Sequence, residues 1–201
     1  MALNFANNNS LSAITAKPSG LSGGAMNLIS TQTASGSSTI SFTSGIDSTY
    51  DEYVFKFINI HPATDNTKLT FNGSIDGGSN YNVVKTTTFF QSFNLENNSN
   101  SGLTYRTGDD LAQSTNFQKI ITDIGNENDE NGSGYLQIFN PSSETFVKHF
   151  IANGSTVLAS PGNSNRFCAG YGNTTSSIDA IKFQMDSGNI DAGEILLFGV
   201  N

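Results

Sequence analysis

The stretch Ile181-Lys-Phe-Gln-Met185 has an apolar residue at every second position. Successive side chains of a β-strand point to opposite faces, so this pattern predicts a strand that buries one face. The same alternation occurs in Thr39-Ile-Ser-Phe-Thr43 and in Lys68-Leu-Thr-Phe-Asn72. Two further runs, Tyr53-Val-Phe-Lys-Phe-Ile58 and Ile195-Leu-Leu-Phe-Gly-Val200, are apolar on both faces. They predict central strands, or strands that a second surface covers.

Short runs of this kind recur along the chain from residue 26 onward, separated by clusters of Gly, Asn, Asp, Ser and Pro that suit tight turns. We predict strands over 26–33, 38–43, 52–60, 67–75, 80–90, 115–122, 134–140, 145–152, 166–171, 178–185 and 193–200. Neither a helical interruption nor an internal repeat is visible. The sequence therefore predicts an all-β fold in which residues 25–201 form a single jelly-roll-like, two-sheet antiparallel β-sandwich.

The composition favours the same fold class and excludes several functions. Small polar residues dominate, with 25 Asn, 26 Ser, 20 Thr and 20 Gly among 201 residues, while 15 Phe and 6 Tyr can supply a core. The formal net charge is −8 with nine Lys and Arg, which argues against binding to nucleic acid or to anionic membranes. A single cysteine, Cys168, excludes an internal disulfide, and the first residues do not resemble a signal peptide, so we expect synthesis in a cytoplasm.

Residues 1–24 form a separate, biased segment rich in Ala, Ser, Asn and Gly. It carries apolar residues without strand or helix periodicity: Leu3, Phe5, Leu11, Ile14 and Leu21. One interpretation is a solvated terminus. The other is an extended N-terminal arm whose apolar residues occupy pockets on a neighbouring chain, since extended segments bind through main-chain pairing and side-chain pockets.

Side chains that could carry chemistry are few, and we expect no catalytic, metal or cofactor site. His61 is predicted in a turn and His149 in a strand, and no nucleophile motif accompanies either. Cys168 is predicted to be a buried, unreactive residue. Asp109-Asp110 and the acidic loop 123–131 leave open a pair of hydrolytic carboxylates or a calcium site, although solvated loops explain both.

Several stretches resemble virion structural proteins of tailed bacteriophages, cyanophage-like in particular. They are Ser44-Gly-Ile-Asp-Ser-Thr-Tyr-Asp-Glu-Tyr-Val-Phe-Lys-Phe57, Asn59-Ile-His-Pro-Ala-Thr-Asp65, Leu69-Thr-Phe-Asn-Gly-Ser-Ile-Asp-Gly-Gly-Ser-Asn-Tyr81 and Ser187-Gly-Asn-Ile-Asp-Ala-Gly-Glu-Ile-Leu-Leu-Phe-Gly-Val200. The resemblance spans roughly residues 26–201 and its motifs are structural. It implies a non-enzymatic head decoration, fibre or tail appendage, made in the host cytoplasm and located in the virion, with capsid, portal, tail or fibre chains as partners.

We also expect a homo-oligomer, because strands that are apolar on both faces need cover on each side. The resemblance to phage appendages favours a trimer. The candidate assembly interface consists of Leu3, Phe5, Leu11, Ile14, Leu21, Tyr53, Phe55, Phe57, Leu196 and Phe198. The alternative function is a glycan-binding, host-recognition module, for which Tyr81, Tyr105 and Tyr171 are the candidate sugar platforms.

Overall fold

The computed structural model describes residues 25–200 and folds them into twelve β-strands. The strands are β1 (Met26–Ser37), β2 (Ile40–Phe42), β3 (Glu52–Pro62), β4 (Thr67–Ser74), β5 (Lys85–Leu95), β6 (Ser101–Tyr105), β7 (Gln118–Ile124), β8 (Gly132–Phe139), β9 (Lys148–Val157), β10 (Gly162–Gly172), β11 (Ala180–Met185) and β12 (Ile190–Val200). Within this range no helix is long and apolar enough to cross a lipid bilayer.

Two antiparallel sheets face each other. The larger sheet has the strand order β1-β12-β3-β8-β9-β10-β5-β6, and the smaller has the order β2-β11-β4-β7. The all-β, jelly-roll-like sandwich that the alternating runs predicted is therefore confirmed. Each of the eleven predicted strands overlaps one in the structure, and β6 is additional.

Aromatic rings fill the space between the sheets. Phe183 of β11 is fully buried and contacts rings from both sheets, edge to face with Phe55 at 5.2 Å and Phe57 at 5.3 Å between ring centroids. Phe42 and Phe71 complete the group at 6.2 and 6.5 Å from Phe183. Edge-to-face pairs at such distances add to the stabilisation that burial alone provides. The alternation in Ile181–Met185 thus places its apolar side in the main core.

Three residues of the predicted assembly interface belong to this core, and their assignment is corrected. Tyr53, Phe55 and Phe57 are at most 2% exposed, because they occupy the side of β3 that faces the smaller sheet. The Tyr53 hydroxyl donates to the backbone oxygen of Asp47 and accepts from its amide, both at 3.0 Å, which closes the loop before β3. The arm residues Leu3, Phe5, Leu11, Ile14 and Leu21 lie outside the described residues.

The two sheets differ in width, and this difference positions the sites below. Strand β7 is the free edge of the four-stranded sheet and packs over β9 and β10. Strands β5 and β6 continue the eight-stranded sheet beyond that edge. The inner side of β5 therefore faces a loop and an open cleft. In the loop, the Leu111 amide donates to Thr87 Oγ1 at 2.8 Å.

Candidate functional site: the outer sheet face and the arginine cleft

The side of the eight-stranded sheet that points away from the smaller sheet, hereafter the outer face, carries most of the exposed apolar surface. Of eleven large apolar side chains that are exposed within residues 25–200, strand alternation and register place nine on this face. They are Met26, Leu28, Ile58, Phe90, Leu103, Tyr105, Tyr135, Ile151 and Phe167. Such a concentration of exposed apolar side chains on one face marks an interaction surface more often than an ordinary solvated face.

A row of cross-strand neighbours runs through the middle of the outer face. From β3 to β6 it consists of Lys56, Tyr135, Asn153, Phe167, Phe90 and Tyr105. Phe90 and Phe167 stack with their centroids 4.8 Å apart and their planes 9° from parallel. At about 4.8 Å between strands, the row is about 24 Å long. A patch of this length suits a protein surface or an extended ligand better than a small molecule.

The two remaining predicted interface residues in the described part of the chain lie on β12, toward the β1 edge of the same face. Leu196 and Phe198 of β12 are half-buried there, and the ammonium group of Lys56 lies 5.3 Å from the centroid of the Phe198 ring. This cation–π contact lets a lysine sit within an apolar surface. Met26, Val54 and Tyr135 line a shallow groove of about 370 Å³ beside them. The structure thus separates the predicted interface into core residues on β3 and outer-face residues on β12.

A second feature is an open cleft of about 450 Å³ where the inner side of β5 and β10 extends past β7. Its floor includes Arg166, only 1% exposed, whose Nη2 lies 2.8 Å from Asp123 Oδ2. Arg106 Nη2 lies 3.2 Å from the same Asp123 oxygen, and Asp109 binds Arg106 at 2.7 Å and Lys119 at 2.9 Å. Both arginines of the chain therefore meet in one network, hereafter the arginine cluster.

The arginine cluster perturbs the groups within it. Burial lowers the pKa of Arg166 to about 10, against the opposing effect of Asp123. Burial raises the pKa of Asp109, but hydrogen bonds from Lys119 and Arg106 outweigh it and hold that pKa below its usual value. Three cations and two carboxylates leave the cluster with a formal charge of +1, although the whole chain carries −8.

Two further cations are enclosed between the sheets with carbonyl partners. Lys85 Nζ donates to Asn72 Oδ1 at 2.5 Å and to the Val83 carbonyl at 2.8 Å. Lys148 Nζ donates to the carbonyls of Phe146 and Thr174. Burial lowers the pKa of both, that of Lys85 to about 7. Among the described residues neither ammonium has a carboxylate within 4.0 Å.

The three candidate sugar-platform tyrosines occupy separate places. Tyr81 lies under the Lys182 ammonium at 4.0 Å, whereas Tyr105 lies on β6 and donates its hydroxyl to Asp110 at 2.6 Å. Tyr171 of β10 packs near His149, with 6.1 Å between the ring centroids. The structure does not assemble these three rings into one platform.

Other candidate groups have structural partners. His61 lies at the end of β3, not in a turn, because that strand continues to Pro62, and its Nε2 is 3.2 Å from the Glu127 carbonyl oxygen. Cys168 is buried, as expected, and burial raises its pKa. Asp109 and Asp123 belong to the arginine cluster. Between residues 25 and 200, no group of three or more His, Cys, Asp and Glu side chains is arranged to hold a metal ion.

The arginine cluster was missed in the sequence because Arg166 lies 43 positions from Asp123, and Asp123 lies 17 positions from Arg106. Arg166 could be noticed as a cation in an otherwise alternating strand, but nothing in the sequence pairs it with Asp123. Comparisons with protein-family models, curated proteins and solved structures found no significant match to this chain. The resemblance to phage virion proteins therefore stays a prediction.

Proposed function

We propose that this protein is a non-enzymatic assembly module of a tailed-phage virion and that it acts through the outer face of its larger sheet. The observation that carries the assembly role is the concentration of nine exposed large apolar side chains on that face. The virion setting rests on the sequence resemblance alone. Fully buried interface cores are enriched in aromatic residues, and the row from Tyr135 to Tyr105 fits that composition.

The partner that this face fits best is a second copy of the chain, in a closed oligomer. Strand register places three charged side chains on the outer face, Glu52, Lys56 and Glu194, so association would bury few charges. Three-fold closure is favoured because the phage appendages that the sequence resembles commonly form trimers. The protein would then join the virion as a preassembled unit, with residues 1–24 available to contact other virion chains.

Two isoleucines of equal exposure allow a matched test of the interface. Ile151 lies on the outer face and Ile75 lies beyond the end of β4, and each is 43% exposed. Light scattering at micromolar concentration should give the wild type three times the 21.4 kDa mass of one chain. Ile151→Glu should reduce that mass to one chain, because it buries an unpaired charge in the interface.

The control variant Ile75→Glu should keep the oligomer. A wild-type mass of 21.4 kDa would reject self-association, and equal masses for the two variants would reject the outer face as the interface. The virion setting has its own test, which is the identification of peptides from this chain in purified phage particles.

A further inference from the structure

The unsatisfied polar atoms of the described residues converge on one place. Four enclosed side-chain atoms in this part of the chain lack a hydrogen-bond partner: Gln91 Oε1, Thr122 Oγ1, Arg166 Nε and Arg166 Nη1. Gln91 lies directly opposite Arg166 in the β5–β10 register. Arg166 Nη2 donates to the Thr122 carbonyl at 3.1 Å. Two of the four atoms therefore belong to the Arg166 guanidinium at the floor of the cleft, and the other two belong to residues that neighbour Arg166.

This group of unpartnered polar atoms is energetically costly unless a bound group completes their hydrogen bonds. A buried polar atom without a hydrogen-bond partner destabilises the folded state, and native proteins keep such atoms few. Elsewhere in residues 25–200, enclosed side-chain polar atoms are paired. The exception lies beside the open cleft of about 450 Å³, a volume within the range of small-molecule sites. Water or a bound ligand entering from the adjoining cleft can complete these hydrogen bonds.

The chemistry of the unpartnered atoms specifies the ligand. Arg166 keeps N–H donors at Nε and Nη1 that its ion pair with Asp123 leaves without an acceptor, and a carboxylate accepts such donors in charge-assisted hydrogen bonds. Gln91 Oε1 is an acceptor and needs a donor, which a hydroxyl group supplies and a fully ionised inorganic anion does not. Asn66 and Asn100 line the cleft with further polar groups, and Phe93 lines it with an apolar surface. Hydroxyls, a carboxylate and an apolar C–H face occur together in a sugar acid.

We propose that the cleft binds a carboxylated saccharide, with its carboxylate against Arg166 and a hydroxyl donating to Gln91. This site is separate from the outer face and does not depend on the assembly role. The unpartnered atoms are enclosed in the free protein. The Gln91 side chain therefore moves on binding, so that the ligand can reach these atoms.

Three small probes separate the parts of this proposal: D-glucuronate carries both groups, D-glucose lacks the carboxylate, and acetate lacks the hydroxyls. Titrations of the full chain should show saturable binding of glucuronate. Calorimetry measures the affinity, and the NMR signals of the Gln91 side-chain amide report binding at this site. The affinity for glucuronate should exceed that for glucose and for acetate by about tenfold or more, since each of these two probes lacks one of the two interactions.

Two charge variants test the location. Gln91→Glu places a carboxylate opposite Arg166, so it should weaken glucuronate binding by about tenfold and raise the melting temperature. Asn100→Asp, at an exposed cleft position, should weaken glucuronate binding and leave glucose binding unchanged. Gln32→Glu, on the exposed part of β1, is the control and should bind glucuronate as the wild type does.

Three results would overturn the proposal. The first is the lack of saturable glucuronate binding up to about 10 mM, where even a weak site would be occupied. The second is equal affinity for glucuronate and acetate, which would indicate a simple anion site. The third is unchanged glucuronate binding in both Gln91→Glu and Asn100→Asp.

Discussion

Lys85 predicts a specific dependence of stability on pH. Lys85 is 2% exposed, and burial lowers its pKa from 10.5 to about 7. The unfolded chain then binds more protons than the folded protein between pH 7 and 10.5, so the free energy of unfolding rises with pH through that range. Below pH 7 both states are protonated, and the cost of burying the charge is present in full.

The size of this effect follows from the two pKa values. A shift of 3.5 units corresponds to about 5 kcal/mol at low pH, at 1.36 kcal/mol per unit. Between pH 6.5 and 8.5 the Lys85 contribution changes by about 2 kcal/mol in favour of the folded state. Lys85→Met should remove this pH-dependent rise in the free energy of unfolding. The variant loses the hydrogen bonds to Asn72 and Val83, worth about 1 kcal/mol each. Because this loss is smaller than the cost of burying the charge, Lys85→Met should be more stable than the wild type at pH 6.5.

Urea unfolding at fixed protein concentration measures the effect at several pH values. The pH range ends at 8.5 because Cys168, whose pKa burial also raises, ionises in the unfolded chain near its ordinary value of 9.0. Lys182→Met, on the solvent side of β11, is the control and should keep the wild-type slope. If wild type and Lys85→Met show parallel pH profiles, burial of Lys85 does not have the energetic consequence argued here.

Three further predictions concern the core, the thiol and the arm. Phe183→Ala should lower the free energy of unfolding by about 3–5 kcal/mol, measured by urea unfolding, whereas Phe146→Ala should have little effect because that ring is 71% exposed. Cys168 should react with a thiol reagent only after unfolding, since burial raises its pKa and blocks access; rapid labelling of the native protein would contradict this. Phe5→Asp together with Leu11→Asp should abolish incorporation into particles without changing the oligomer mass, and normal incorporation would count against an arm that docks.

Short apolar runs between turn-forming clusters were sufficient to predict eleven of the twelve strands, because most of these strands bury one face in the core. Strand β6 escaped because Ser101–Tyr105 is exposed along its whole length and pairs only with β5. Burial of one face gives a strand its alternation of apolar and polar residues, and a fully exposed edge strand such as β6 lacks that alternation. The run Tyr53–Ile58 predicted a strand correctly, but composition alone could not distinguish its core side from its outer side.

The sites depended on long-range register, which no local pattern encodes. Phe90 and Phe167 are 77 positions apart and stack only because β5 and β10 are paired at that register. Arg166 and Asp123 come from different sheets. In the sequence, each of these residues has an ordinary explanation as a strand or loop residue. Their proximity becomes visible only when the strands are placed.

The unequal widths of the two sheets connect the outer face with the cleft. Four strands cannot cover the inner side of eight, so the inner side of β5 and β10 extends past β7. Polar and charged side chains such as Gln91 and Arg166 can occupy inward positions there because a cleft borders them, whereas the inward positions of β3 under the smaller sheet are held by Tyr53, Phe55, Phe57 and Ile60. The same width makes the outer face broad enough for a row of six cross-strand neighbours, four of which are aromatic. A sandwich built this way can assemble through its outer face while its cleft stays open to a ligand, so Ile151→Glu should leave glucuronate binding intact and Gln91→Glu should leave the oligomer intact.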